Sequence, residues 1–358
     1  IDVMNENPDE TVRGMCAWSL GRLGGPRAKA ALEAQQSRED GLVREEIAER
    51  VLKEQRKADW DALIERLAAG DMEEGDRAEL AEVERLALGQ SETSRILQAL
   101  DVGQTREHAH QLLLRVGYWP EAFNLHPIRA GVALQEPAIP VPELPDEERL
   151  DLTHLDAWAI DDAGSNDPDD AISIDGERLW VHIADAGALA PPGSDLDVAA
   201  CERGANLYLP EAIVPMFPHG MTERLGLGLK ETSPALSVGF EIDAEGRLQE
   251  IEIHLATIRV TRMTYAEATA SDDRRLQAIT AMLARFRDRR MQAGAAGIDL
   301  PEVSVRLDGD EILIKPLERG GSRQMVAEAM MAAGEAIAEF ALRNGILIPF
   351  ANQPPPDE

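Results

Sequence analysis

The chain has 358 residues, 44% of them hydrophobic, with two cysteines and a net charge of −30 from 66 acidic against 36 basic side chains. Such a length buries at least one large core and fits two or three domains, while the charge argues against general affinity for phosphate backbones: a nucleic-acid ligand has to be met by local basic groups or metal ions. Cys16 and Cys201 lie far apart without CxxC or Cys/His spacing, which argues against a disulfide framework or a zinc site. No run is long enough to span a bilayer, and "IDVMNENPDE" lacks the basic start and apolar middle of a signal peptide, so the expectation is a cytoplasmic protein without a membrane partner.

In chain order, residues 1–57 read as helical with an internal echo. "DETVRGMCAWSLGRLGG" and "DGLVREEIAERVLKE" share an acidic residue, then Val-Arg, then an apolar stripe, which resembles a HEAT-type helical hairpin and part of the next. Too few units are present for a self-standing solenoid, and a solvated spacer is the plainer reading; no partner of these helices can be named. Residues 77–132 carry three short amphipathic stretches, with Ser91 and Thr105 as N-caps and Gly89 and Gly103 as C-caps. That is the outline of a helix-turn-helix or winged-helix domain. Its second and third helices hold few basic residues, which disfavours DNA reading.

Residues 133–149, with "PAIPVPELP", form a proline-rich extended linker. Beyond it, "RLWVHIADA", "ALSVGFEID" and "LQEIEIHLATIRV" read as strands, and "RRLQAITAMLARFRDRRMQA" and "SRQMVAEAMMAAGEAIAEFALRNG" as long helices. The fold class is α+β: a mixed α/β domain over residues 150–358, preceded by all-α regions.

The chemistry concentrates in "AIDDAGSNDPDDAISIDG". Asp161, Asp162, Asp167, Asp169 and Asp170 crowd between two apolar runs, and carboxylates so close raise one another's cost of ionisation unless a cation sits among them. An EF-hand is excluded because no register supplies its glycine and terminal glutamate. A solvated turn and a Mg²⁺ site that takes several carboxylates from a tight loop both remain open. Two such ions about 4 Å apart can activate water and stabilise the leaving oxygen of a phosphodiester.

"IDDAGSNDPDDAI", then "LWVHIADAGALAPPGSDLDVAACERGANLYLP", "VPMFP", "SPALSVGFEID" and "SRQMVAEAMMAAG" resemble, in that order, the catalytic (RNB) domain of the ribonuclease II family. The resemblance implies a magnesium-dependent hydrolytic 3′→5′ exoribonuclease acting on single-stranded RNA and releasing nucleoside 5′-monophosphates, with manganese as an alternative ion. Position by position it implies Asp169 as the residue whose loss stops chemistry, and Asp161, Asp167 and Asp170 as metal ligands; Asp162 lies outside the pattern. Tyr265 aligns with a tyrosine that stacks on a base, an aromatic grip that needs no sequence readout. A second clamp aromatic is expected near "AAGIDLPE", where only Ile298 stands.

Arg203, Arg262 and Arg323, with Arg259 and Arg319, are the expected phosphate neighbours. His182 and Asp185 in "WVHIADA" suggest acid/base work by type, but the strand period places them in a structural element. The family's "S-P-x-R-x-Y-x-D" block, with its phosphate-contacting arginine, is not found, and the chain begins with Ile1. The expectation is a catalytic domain incomplete at its C-terminal end, and the alternative function is a catalytically incomplete RNA- or protein-binding member of the same family.

Overall fold

The computed structural model describes residues 6, 8–23, 25–36, 41–297, 302–309, 311–317 and 320–351. It divides into two compact units, Ile1–Val132 and Ala133–Glu358.

The first unit is helical: α1 (Glu10–Leu23), α2 (Pro26–Gln36), α3 (Gly41–Ala69), a 3₁₀ turn (Glu74–Asp76), α4 (Arg77–Ala87), α5 (Arg95–Ala99), α6 (Arg106–Arg115) and α7 (His126–Arg129). Ala17, Leu32, Val43 and Ile47 form one small core. The 29-residue α3 then runs on through residue 57 to place Leu63 and Leu67 in a second core with Leu80, Val83, Ile96, Leu97, Leu113 and Trp119. A single helix thus serves both cores, and no linker separates the two helical regions. Among the described residues this unit contains no strand, so it has no wing.

Thr105 caps α6 as expected, its hydroxyl accepting the His108 N–H, and Gly89 follows α4 with φ of +78°. Two expected caps are corrected. Ser94, not Ser91, caps α5, because Glu82 reaches across to accept from the Ser94 hydroxyl and the Ile96 N–H, at 2.9 and 2.8 Å. After α5, Asp101 rather than Gly103 takes the left-handed backbone, at φ of +54°.

The second unit opens with the proline-rich segment, which lies in no helix or strand until Leu150. There follow β1 (Leu150–Asp151), β2 (Ala157–Asp161), β3 (Asp170–Asp175), β4 (Arg178–Ala184), α8 (Ala186–Leu189), α9 (Asp195–Arg203), β5 (Leu207–Tyr208), β6 (Ile213–Val214), α10 (His219–Leu225), β7 (Ser233–Ile242), β8 (Leu248–Ile258) and β9 (Val260–Thr264). The unit continues with α11 (Tyr265–Ala270), α12 (Arg274–Gln292), the β10 (Val303–Asp308) and β11 (Glu311–Pro316) hairpin, and α13 (Gly321–Asn344). Among the described residues no helix is long and apolar enough to cross a membrane.

The main sheet has the order β1-β8-β7-β4-β3-β2-β9, antiparallel except for the β1–β8 and β2–β9 pairs. The run "LQEIEIHLATIRV" is therefore two strands. Arg259 alone separates β8 from β9, yet one pairs with β7 and the other with β2. One intervening residue spans roughly 7 Å at most, so the sheet must curl until the bent β8–β9 strand closes it into a barrel.

Strand alternation then assigns the two faces. Trp158, Ile160, Ile172, Leu179, Val181, Val238 and Phe240 point outward, under Leu283 and Phe286 of α12 and Ala329, Ala332 and Ala336 of α13. The inward positions are small: Ala157, Ala159, Ala171, Ala235 and Ala256 around Trp180. Gly239 belongs to this set, since a Cβ there would lie 2.8 Å from the Trp180 ring.

His182 is also on the inner face and fully buried, its Nε2 2.9 Å from the Ser173 hydroxyl and its Nδ1 2.7 Å from the Ser237 hydroxyl. Burial pushes its pKa down to about 3. It is a neutral bridge across β3, β4 and β7 rather than an acid/base group.

Because unfolded His182 titrates near 6.5, the unfolded state binds the extra proton between about pH 6.5 and 3, and stability falls as pH drops through that window. We expect the slope from this group to approach about 1.4 kcal/mol per pH unit. Urea unfolding of His182→Gln and wild type between pH 7.5 and 4.5 checks it: the variant should show the shallower pH dependence, and equal slopes would refute a neutral buried imidazole.

Candidate active site

β2 and β3 are joined by residues 162–169 and share one registered pair, Trp158 with Ile172. Elsewhere each turns to its other neighbour: β2 pairs along its length with β9, and β3 with β4. Extending the Trp158–Ile172 register by three residues sets Asp161 opposite Asp169. Like charges opposed across an antiparallel pair repel, which disfavours continuing the ladder to this end.

The loop is pinned at the opening by its neighbours. The Asp169 carbonyl accepts the Ala184 N–H at 2.8 Å, the Pro168 carbonyl accepts the Leu227 N–H at 2.9 Å, and a turn at positive-φ Gly164 joins the Ser165 N–H to the Asp162 carbonyl at 3.0 Å. Gly228 is required beside it: at φ of +81°, a Cβ would come within 3.1 Å of the Val260 carbonyl and the Arg262 side chain.

Four expected carboxylates meet at this opening. Burial and the charges of Asp167 and Asp161 push Asp169 up to about 6. By accessible surface the residue is nonetheless exposed, so water reaches a carboxyl that nearby protein atoms and like charges hold above its ordinary range. Asp170, at the first position of β3, is likewise raised to about 6 by burial and by Asp161 and Asp169. Asp161 is raised by burial and by Asp167 and Asp162, with Arg262 opposing. Asp167 accepts hydrogen bonds from the Tyr208 hydroxyl at 3.0 Å and the Ser165 hydroxyl at 3.4 Å. Among the described residues no group of three or more His, Cys, Asp or Glu side chains is arranged to hold a metal ion as the structure stands.

Tyr265 follows directly on Thr264, the partner of Asp161 in β9, and begins α11 behind a capping box of Thr264 and Glu267. Its ring packs against the outer core and is half-buried, with the Arg323 guanidinium 4.0 Å over one face. Arg323 also pairs with Asp162, and Arg262 donates to the Ser165 carbonyl at 2.5 Å. Two of the three singled-out arginines therefore sit on the rim of the carboxylate loop.

Arg203 does not join them. It gives its donors to the carbonyls of Gln135, Pro215 and Ala133, at 2.6, 3.1 and 3.4 Å, and fastens the proline-rich segment. Arg259 lies 3.7 Å from Glu231. Arg319 and Ile298 fall outside the described residues. Asp185 accepts from Arg149 at 2.6 Å and is 9% exposed.

The residue that sequence reasoning missed is Tyr208. It stands within the quoted block "GANLYLP", but the β5–β6 pairing that turns its hydroxyl to Asp167 joins positions with no hydrophobic pattern to announce it.

The RNB domain family matches residues 149–358, and a double helix-turn-helix domain found in ribonuclease II matches residues 43–125. An uncharacterised ribonuclease of Synechocystis is 31% identical over 88% of this chain and 52% of its own length. The chloroplastic/mitochondrial ribonuclease II of Arabidopsis thaliana is 29% identical over 72% of this chain and 36% of its own length. The chain thus spans about half or less of the length of these relatives. Among solved structures, an active-site mutant of the Dss1 exoribonuclease of Candida glabrata superposes with a TM-score of 0.62 at 20% identity, covering 75% of this chain and 43% of that one. Mycoplasma genitalium RNase R in complex with ribose-methylated single-stranded RNA gives 0.52 at 23% identity, covering 55% and 34%. With its barrel, its carboxylate loop and more than half its length matched by that family, the chain belongs to the RNB-domain ribonucleases.

Proposed function

We propose that the protein is a hydrolytic 3′→5′ exoribonuclease that acts on single-stranded RNA with magnesium and releases nucleoside 5′-monophosphates. The observation that carries this reading is the meeting of Asp161, Asp167, Asp169 and Asp170 where the β2–β3 ladder opens, with Asp169 and Asp170 raised to about 6 by burial and by neighbouring carboxylates.

The donor set fits Mg²⁺. Its donors are all carboxylate oxygens, crowded enough to hold Asp169 and Asp170 above their ordinary range, and an ion that takes one or two carboxylates directly and completes its shell with water and phosphate oxygens would relieve that crowding. Bound there, the ion would supply charge at the scissile phosphate and lower the pKa of water.

The chain's own residues would divide the remaining work. Asp161, Asp167 and Asp170 would hold the ion, directly or through its waters, and the Tyr208 hydroxyl fixes one oxygen of Asp167. Asp169 combines solvent contact with a raised pKa, which suits it to position the attacking water and accept its proton. Tyr265, half-buried beneath the Arg323 guanidinium, would present the exposed part of its ring to a base near the 3′ end, and Arg262 and Arg323 would meet the entering phosphates.

Three outcomes are expected. Asp169→Asn should abolish shortening of end-labelled unstructured RNA on denaturing gels while filter binding shows RNA affinity retained or raised, since a carboxylate that acts in the transition state contributes little to the ground state. Wild-type decay by this variant would sink the assignment; absence of decay in the wild-type protein, with RNA still bound, would favour the catalytically incomplete alternative.

Tyr265→Ala should weaken RNA binding by about 1–3 kcal/mol and change the length of the final undegraded product. An unchanged end product would return Tyr265 to a purely packing role.

The third outcome is pH-dependent. A carboxyl at about 6 when folded and 3.8 when unfolded binds more protons folded between those values, so its cost to stability is complete above pH 6 and is relieved as pH falls toward 4. In EDTA, Asp169→Asn and Asp170→Asn should therefore raise the thermal midpoint at pH 8 and lose that advantage near pH 4. Mg²⁺ at pH 8 should raise the wild-type midpoint more than that of either variant.

A further inference from the structure

Tyr265 stands beside the carboxylate loop. Its neighbour Thr264 pairs with Asp161, and its hydroxyl, pushed up mainly by burial with Arg323 opposing, is near enough to feel Asp170, Asp161 and Asp162 as well. Yet the ring has little surface of its own to give to a base. It packs on the outer core, and the Arg323 guanidinium carbon lies 4.0 Å from its centroid over one face. The other arginine–aromatic contacts among the described residues span 4.9 to 5.5 Å, so this one is the tightest of the set.

The way Arg323 is held is unusual for a structural arginine. It leaves the first turn of α13 and pairs through Nη2 with Asp162 on the loop, while its Nε is buried with no hydrogen-bond partner. The guanidinium is therefore seated by the ring beneath it and by one carboxylate beside it, not by a full set of donors in its plane. With the side chain 28% exposed, the surface that remains open to solvent above Tyr265 on this side is that of the guanidinium. Such a group is planar, more weakly hydrated than an ammonium, and stacks on aromatic rings and on unstacked nucleobases alike. Asp162 acquires a role from the same contact: it lies outside the four carboxylates assigned to the ion, and it is the one that reaches Arg323.

We propose that Arg323 is the stacking surface for a nucleobase, with Tyr265 as its backing and Asp162 as the residue that positions it. The base lies on the outer side of the guanidinium, not on Tyr265 itself, in a three-layer stack of ring, cation and base. The identity of the ligand, single-stranded RNA, rests on the exoribonuclease reading. To a phosphate contact by Arg323 the proposal adds one that depends on the plane of the side chain and not on its charge, and that accepts any base.

Binding in EDTA, where cleavage is stopped, tests this with two unstructured RNAs of equal length and charge: an oligoadenylate, and the same strand with abasic riboses at its last few 3′ positions. Wild type should prefer the base-bearing strand by about tenfold, the worth of one stacked base. Arg323→Lys keeps the charge and loses the plane, so it should reduce that preference to about twofold or less. Arg323→His, planar and mostly neutral at pH 8, should retain most of the preference while weakening the salt dependence for both strands. Asp162→Asn should also lower the preference, whatever it does to overall affinity, because the change in charge is felt equally by both strands.

A wild type that binds the two strands alike overturns the proposal. So does a preference that survives Arg323→Lys, which leaves Arg323 as a phosphate partner alone, or one that rises in Arg323→Ala, which makes the guanidinium a cover that the base has to displace. Degradation with Mg²⁺ is read separately on the same proteins. Base preference without shortening of RNA sinks the reaction and keeps the stack, and shortening without base preference sinks only the stack.

Discussion

The crowding of carboxylates at the end of the β2–β3 ladder is the constraint on which the second unit depends. Asp161 and Asp169 stand where an extended β2–β3 register would set them face to face, and the registered pairing is confined to Trp158 and Ile172. An opened ladder in mid-sheet forfeits hydrogen bonds that a core otherwise demands, so it persists only if the strands on either side are held independently. They are: β2 is zipped to β9 over five residues and β3 to β4 over six. The gap and the carboxylates that line it are two descriptions of one compromise, in which local stability is given up so that negative charge can gather.

The scaffold has to be stiff enough to tolerate this. Small side chains inside the barrel allow close approach of its strands, and the large residues face outward beneath α12 and α13. Those two helices are themselves joined by ion pairs, Arg290 with the buried Glu328 at 2.7 Å and Arg289 with Glu335 at 2.5 Å. Removing one partner of the Glu328 pair would strand a charge in the interior, so these contacts fix the register of the helices more than they add to net stability. Most of the proposed site hangs from this frame, with Asp161 and Asp170 at strand ends, Tyr265 at a helix start and Arg323 on α13, while Asp167 and Asp169 stand on the loop between β2 and β3.

Much of this was legible in the sequence because it repeats at short range. The aspartate loop, the flanking strands and the two long helices follow from composition and period, and the ordered blocks gave the family. The parts that stayed hidden depend on partners distant in the chain. Ser94 displaces Ser91 as a cap only because Glu82, on another helix, completes the network. Arg203 looks like any basic residue near a site until the carbonyls of residues 133, 135 and 215 surround it. The inner serines of β3 and β7 turn His182 from an apparent acid/base group into a neutral bridge, and nothing in "WVHIADA" signals them. The split of one apolar run into β8 and β9 is hidden for another reason: hydrophobic alternation reports a face, and a strand that bends to close a barrel keeps the same face throughout.

The proline-rich segment 133–149 has no ladder and is held by other means. Its carbonyls at residues 133 and 135 rest on Arg203, Glu136 accepts the His219 N–H, Glu143 leans on Arg224, and Arg149 is sunk against Asp185. Side-chain charge thus takes over the role that main-chain pairing has in the barrel. The two kinds of attachment answer differently to the solvent: a sheet is nearly indifferent to ionic strength, whereas an exposed carboxylate–guanidinium contact loosens as salt rises. The segment behaves as a strap buttoned firmly at its ends and lightly at its middle, and the salt concentration of its surroundings decides how tightly that middle button is fastened.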